Sequence, residues 1–306
     1  MIVAVTGATG FVGRHLVDTL RRRGHAVRAL VRDPARARWL AAGGVELVRG
    51  DVRDPPSLRP FAEGADAAIH LVGIIVERGR QSFAAVHVAG TAAVHAAARA
   101  AGVRRFVHMS AVGARPEANA TPYHRTKWQA EELVRDSVLP YVILRPSLIN
   151  GPENAPIRTL ARLHYALPLI PVFGDGRFPS QPVWIDDVAL AFALAAERVE
   201  LTGTFELGGP EVLSYEQFVL AIGRAAGRSR PLVHVPLPVV RAAAAVFDRL
   251  GAAAPLTSDQ LQMLVEGSAT PENAIERVFG IEPLSFEEGL RRFLPFSRSR
   301  KNQTRG

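Results

Sequence analysis

The segment Met1-Ile2-Val3-Ala4-Val5, running at once into Thr6-Gly7-Ala8-Thr9-Gly10-Phe11-Val12-Gly13, constrains this chain more than any other stretch. Its first five residues read as a short buried strand. After the glycines, Leu16, Val17 and Leu20 keep a helical period that stops at Gly24. Strand, glycine turn and helix in that order turn a glycine spacing into a dinucleotide site. Gly7 permits the tight turn, Gly10 lets the backbone approach a pyrophosphate, and Gly13 lets the helix pack closely on the strand. The phosphates would meet free N–H groups at the helix N-terminus, where the macrodipole favours negative charge. Gly7, Thr9, Gly10, Phe11, Val12 and Gly13 are therefore the first candidate cofactor-binding residues. The spacing is Gly-x-x-Gly-x-x-Gly rather than Gly-x-Gly-x-x-Gly.

Alternating strand and helix signals continue to about residue 150. Strands are expected at Ala26–Val31, Val45–Arg49, Ala67–Leu71, Arg105–Met109 and Tyr141–Arg145, with helices at Ala35–Ala42, Phe83–Ala101 and Tyr123–Ser137. Such alternation with short connections predicts an α/β fold, a doubly wound parallel sheet of Rossmann type. Beyond Pro146 the texture changes. Residues 150–182 are rich in Pro and Gly, and later come a helix at Asp186–Glu197, a strand at Thr204–Leu207 and a helix at Ser214–Ala226. The expected organisation is a dinucleotide-binding domain over 1–150, a smaller C-terminal α/β lobe over 151–296 interleaved with it, and a basic, disordered tail over 297–306.

The formal net charge of +8 invites a nucleic-acid reading. Half of that excess lies in the tail, which holds Arg298, Arg300, Lys301 and Arg305 and no acid. No aromatic interleaving suggests base stacking elsewhere, so a membrane surface or an acidic partner suits the tail better than nucleic acid. The chain has no Cys, which excludes disulfides, thiolate metal sites and cysteine nucleophiles. His87 and His95 share a helix without carboxylate company, and no metal is expected. Neither a membrane-spanning helix nor a signal peptide is visible, which predicts a cytoplasmic protein, at most peripheral to the inner membrane. Pro238–Leu250 forms an amphipathic pattern with Val239, Val240, Ala243, Val246, Phe247 and Leu250 apolar. It either packs within the lobe or docks on a membrane surface or partner.

The second strand ends Leu30-Val31-Arg32-Asp33-Pro34. An NAD site places a carboxylate here for the adenosine ribose, and Asp33 lies close to that place. Asp33 is equally a good N-cap ahead of Pro34. Arg32 would then meet a 2′-phosphate, with Arg14 as a second cation, which favours NADP(H) over NAD(H). After the third strand, Asp51 and Val52 could meet the adenine, or Asp51 could be a plain loop residue.

Only two of the 37 basic residues are Lys, and Lys127 is the one within the expected folded body. An ammonium is more compact than a guanidinium and suits a confined site. Tyr123 lies four residues before it, on the same helix face. A free tyrosine ionises near ~10, so acid–base work near neutrality requires a drop of roughly 3, about 4 kcal/mol. A neighbouring ammonium and an oxidised nicotinamide would supply it by favouring phenolate.

With Thr6–Gly13, Tyr123-x-x-x-Lys127, Leu144-Arg145-Pro146 and Val183-Trp184-Ile185-Asp186-Asp187-Val188-Ala189, nearly the whole chain resembles the extended short-chain dehydrogenase/reductases of epimerase/dehydratase type. Segments His124–Glu131, Gln181–Trp184 and Leu256–Leu261 are most similar to the atypical branch containing the nucleotide-binding accessory subunit of respiratory complex I and its bacterial relatives. The resemblance implies an NAD(P)H-binding oxidoreductase with Tyr123 as acid/base and Lys127 binding ribose and tuning Tyr123. It also implies that Leu71, Val72, Gly73 and Pro146 line the dinucleotide. The pattern departs at two points. The family's catalytic Ser/Thr falls on Ala111, beside Ser110, and its catalytic Asn falls on His87. Losing such an oxyanion donor costs about 100- to 1000-fold. The resemblance therefore leaves two functions open. One is an enzyme acting on a hydrophobic, quinone- or isoprenoid-like substrate bordered by 73–82 and 151–182. The other is a nucleotide-loaded accessory or redox-sensing protein linked to complex I or quinone metabolism.

Overall fold

The computed structural model describes residues 1–249 and 256–294. The tail and Leu250 lie outside them. Two compact units emerge: one from Met1–Pro146, Ile185–Leu207 and Glu272–Ile281, the other from Ser147–Trp184, Gly208–Pro271 and the chain from Glu282 onward.

The first unit is built on seven parallel strands. They are β1 (Ile2–Thr6), β2 (Ala26–Val31), β3 (Glu46–Arg49), β4 (Ala67–His70), β5 (Arg105–Met109), β6 (Tyr141–Pro146) and β7 (Gly203–Leu207), in the order β7-β6-β5-β4-β1-β2-β3. Strand order reverses at β1, so the carboxyl ends of β1 and β4 flank the switch point where ligands bind in such sheets. Alternation along each strand sends apolar side chains to both faces. Ala4, Leu30, Ala68, Phe106 and Ile143 join Leu58, Phe61, Val94, Ala98 and Val134 in one core beneath α2 (Gly90–Ala100) and α3 (Pro122–Arg135). The intervening residues Val3, Val5, Ala29, Ile69 and Val107 are buried on the other face. There α1 (Phe11–Arg22) packs against α4 (Ile185–Glu197), with His15 Nδ1 2.6 Å from Asp186 Oδ1.

The boundary expected at residue 150 falls between Pro146 and Ser147. The segment 185–207, expected in the smaller lobe, lies in the first unit, because β7 extends the parallel sheet beside β6. The helix expected over Phe83–Ala101 opens as a π-helical segment, Ala84–Ala89, before α2.

The second unit holds three two-stranded ladders and a core of Ile157, Val172, Phe218, Ile222, Phe286 and Leu290, with the Phe218 and Phe286 rings stacked 4.8 Å apart. Two segments singled out in the sequence have structural work here. Gln181 is buried and bridges two loops, donating to Gly209 O at 2.8 Å and accepting from Thr270 N at 2.9 Å. Thr257 and Gln260 form a reciprocal capping box on the helix Ser258–Glu266. No helix among the described residues is long and apolar enough to cross a membrane.

Candidate dinucleotide site

The glycine turn leaves no room for side chains. Gly7 adopts φ 76°, and a Cβ there would lie 3.2 Å from Leu71 Cβ and 3.3 Å from the Val72 nitrogen. A Cβ on Gly13 would fall 2.1 Å from Gly7 O and 2.6 Å from Ala8 Cα, an overlap with backbone that no rotamer relieves. Gly7, Gly10, Gly13, Leu71 and Val72 therefore meet at the switch point. Gly10 caps α1 without any side-chain hydrogen bond, and no acid occupies the first turn. The leading N–H groups of Phe11, Val12 and Gly13 are left for an anion. Thr9 is exposed, and its carbonyl accepts from Arg14 Nε at 3.2 Å.

At the end of β2 the two acid–base neighbours divide. Asp33 caps the short 3₁₀ turn Pro34–Ala37, accepting from Ala35 N at 3.0 Å, and sits 3.5 Å from Arg36 Nε. Arg32 is exposed, no described residue hydrogen-bonds or ion-pairs its guanidinium, and its charge helps to lower the Asp51 carboxyl. Arg14 lies with its guanidinium 4.9 Å above the half-exposed Trp39 ring. Trp39 escaped the sequence reading; its spacing from Arg14 gives no local signal. Asp51 is held by Arg53, accepting from its backbone N at 2.9 Å and from Nη2 at 2.8 Å, which keeps the carboxyl below the usual range. Val52 is buried in the core below.

Tyr123 and Lys127 stand on α3, whose N-cap Thr121 accepts from His124 N at 3.2 Å. Lys127 is 3% exposed, and its Nζ donates to Met109 O at the end of β5 at 2.8 Å. Burial lowers it to about 8, although the Glu131 carboxylate pulls the other way. Gly73 belongs at this corner, since a Cβ there would lie 3.2 Å from Lys127 Nζ. Tyr123 is half-buried among the rings of Phe83, His87 and His124, and no described residue hydrogen-bonds its hydroxyl. Burial pushes it up to about 12, and Lys127 does not offset this. The downward shift expected from the neighbouring ammonium is therefore absent, because the ammonium is turned onto Met109 O.

His87 has a structural assignment. Its Nε2 accepts from Ile74 N at 3.0 Å, which leaves the proton on Nδ1, and Nδ1 donates to Thr126 Oγ1 at 2.9 Å. Thr126 Oγ1 in turn donates to Pro122 O at 2.8 Å. Burial and the Lys127 ammonium lower His87 to about 3, so it ties the loop after β4 to α3 as a neutral ring. Ser110 is 1% exposed and its Oγ has no hydrogen-bond partner, while Ala111 is half-buried. The Ser110 hydroxyl is thus enclosed beside Ala111. Pro146 is buried, its carbonyl accepting from Val112 N at 3.1 Å.

Glu131, the last residue of the segment His124–Glu131, locks α3 to β6. Fully buried, it receives Arg145 Nε at 2.8 Å and Nη2 at 2.7 Å and also pairs with Arg135, while both guanidiniums lie over the Trp128 ring. The signal was present: a carboxylate four residues past Lys127, on its buried face, needs a cation, and Leu144-Arg145-Pro146 supplies one. Among the described residues, no three His, Cys, Asp or Glu side chains could hold a metal ion.

Residues 7–164 match a family model for NAD(P)H-binding proteins. Over 250 residues the chain is 35% identical to the ceramide reductase of Caulobacter vibrioides, an alignment covering 81% of this chain and 77% of that protein. It is 28% identical over 293 residues to the mitochondrial NADH dehydrogenase (ubiquinone) 1 alpha subcomplex subunit 9 of Arabidopsis thaliana, covering 90% of this chain and 72% of the other. In fold it is similar to the UDP-glucose 4-epimerase of Thermus thermophilus in complex with NAD, with a TM-score of 0.72, 23% identity and coverage of 98% and 99% of the two chains. The glycine cradle suits a nicotinamide dinucleotide, and the chain belongs to the NAD(P)H-binding family as an atypical extended short-chain dehydrogenase/reductase related to the complex I subunits.

Proposed function

We propose that this protein is an NADP(H)-dependent reductase acting on a carbonyl or quinone group of a hydrophobic, lipid-like substrate. The observation that carries the reading is Tyr123: its hydroxyl is unengaged by protein and, at about 12, stays protonated at neutral pH. A protonated phenol is the correct form for donating to a carbonyl oxygen as it becomes an alcohol. Bound NADPH would supply the hydride equivalent to the carbon. Lys127 spends one N–H on Met109 O and keeps two for ribose hydroxyls. Ala111 offers no polarising donor, so turnover is expected to be slower by about 100- to 1000-fold than with a full constellation. The apolar Ile74 and Ile75 after Gly73, and a relative named for reducing a ceramide, support a lipid-like substrate.

The coenzyme choice rests on Arg32, while Asp33 gives one oxygen to its cap and holds the other beside Arg36. Arg32→Ser is expected to weaken NADPH binding roughly 10- to 100-fold, the worth of a charge-assisted contact, and to leave NADH within about 2-fold. Fluorescence titration with both nucleotides checks this. Equal loss for both, or tighter NADH binding by the unaltered protein, would count against NADP(H).

A second reading is favoured by the enclosed Ser110 and by the complex I relative. In it, the protein holds NADP(H) as a resident ligand and acts as an accessory or assembly factor of a respiratory complex.

A further inference from the structure

A surface helix normally turns a polar side to water, and a helix apolar all round belongs in a core or a bilayer. The helix Leu237–Phe247 in the second unit follows neither rule. Only Val240 and Ala244 are buried, at 7% and 1%, packing on Leu261 with Phe173, Val235 and Val265 around them. The opposite side carries Pro238, Val239, Ala242 and Val246. All four are exposed, the two valines at 58% each. The sequence reading left open whether this stripe packs inward. Most of it does not.

Within the helix the charge is positive. Arg241 flanks the exposed side and Arg249 follows its last turn, both exposed. Asp248, just past its end, is held at the start of the next helix, accepting from Ser258 N at 2.9 Å and Ser258 Oγ at 2.6 Å, and that helix, which packs on the buried side, carries Asp259 and Glu266. From Gln217 to Phe247 the chain contains four Arg and no Asp or Glu. Eleven residues are too few to span a bilayer, yet an apolar face rimmed by arginine matches the headgroup boundary of an anionic membrane.

We propose that Leu237–Phe247 is a membrane-docking helix that lies in the surface of an anionic bilayer, with Val239, Ala242 and Val246 inserted and Arg241 and Arg249 on lipid phosphates. The inference stands on this helix alone and not on the reductase reading. The test is co-sedimentation of the full chain with vesicles of phosphatidylcholine alone, or containing a third phosphatidylglycerol. The full chain is expected to pellet with the anionic vesicles and to stay in solution with the neutral ones. The double variant V239E/V246E is expected to lose at least about 10-fold in partitioning, and R241E about 5-fold. NADPH titration of each variant shows whether it is folded. The proposal is overturned if the unaltered chain ignores anionic vesicles, or if the folded double variant pellets as well as the unaltered chain. It is equally overturned if sedimentation velocity shows a dimer that the double variant dissolves, since the face would then join two copies.

Discussion

Acidification from pH 7.5 to pH 5 is expected to remove about 4 kcal/mol of folding stability through two histidines alone. His70 and His87 are 0% and 1% exposed, and burial together with the Lys127 ammonium lowers both to about 3. His70 is held neutral between Thr6 Oγ1 at 2.7 Å and Thr91 Oγ1 at 3.1 Å, and stacks on His108 with ring centroids 5.6 Å apart. His108 is lowered further still, with both ring nitrogens enclosed and unpartnered. The sign follows from proton counting. Well above pH 6.5, at about 7.5, neither the folded nor the unfolded chain protonates these rings, and stability does not depend on them. Below it the unfolded chain takes up protons that the folded chain refuses, so stability falls with pH until the folded values near 3. At pH 5 each ring contributes a loss of about 2 kcal/mol, fixed by the unfolded value of ~6.5. His108 adds to the total. Against a typical stability of roughly 5–15 kcal/mol, this is a large share. Urea denaturation at pH 7.5, 6.5 and 5 measures it. A stability that stays level from 6.5 to 5 would show that these rings are not neutral and enclosed.

Tyr123→Phe is the second large effect. The substitution leaves the ring among Phe83, His87 and His124 and removes only a hydroxyl that no protein group engages. If Tyr123 is the proton donor, kcat for carbonyl reduction falls by about 10²- to 10⁴-fold, while NADPH affinity changes by less than about 2-fold. Because the phenol stays protonated up to about 12, reduction is expected to hold a flat rate through neutral pH, whereas the reverse oxidation rises steadily with pH. Stopped-flow NADPH oxidation separates the two steps. Turnover by the Phe variant at the unaltered rate would move the weight to the accessory reading.

The fold was largely legible because its elements carry their own periods. β1 through β6 and α1 are marked by apolar runs and by the glycines between them. What was not legible depends on contacts between distant residues. β7 was read as a strand of the smaller lobe because nothing local says it pairs with β6. The two-residue ladders Ile149–Asn150 with Val183–Trp184 and Pro179–Ser180 with Leu213–Ser214 are too short to show alternation. The π-helical start around His87 has the same apolar content as an α-helix over six residues. At the site, the glycines, Tyr123 and Lys127 were visible as motifs. The upward displacement of Tyr123 was not, since it depends on where the Lys127 ammonium points. The neutral bridge from Ile74 through His87 to Thr126 likewise joins residues with no common spacing.

The central claim is that the cradle at Gly7–Gly13 holds NADP(H) and exchanges it. Mass spectrometry of nucleotide released from the denatured protein, before and after long dialysis, tests this most directly. The expected result is NADP(H) in the freshly purified protein and little or none after dialysis. Stoichiometric NADP(H) that survives dialysis would contradict exchange and make the nucleotide a fixed structural part. NAD(H) in its place would contradict the role given to Arg32.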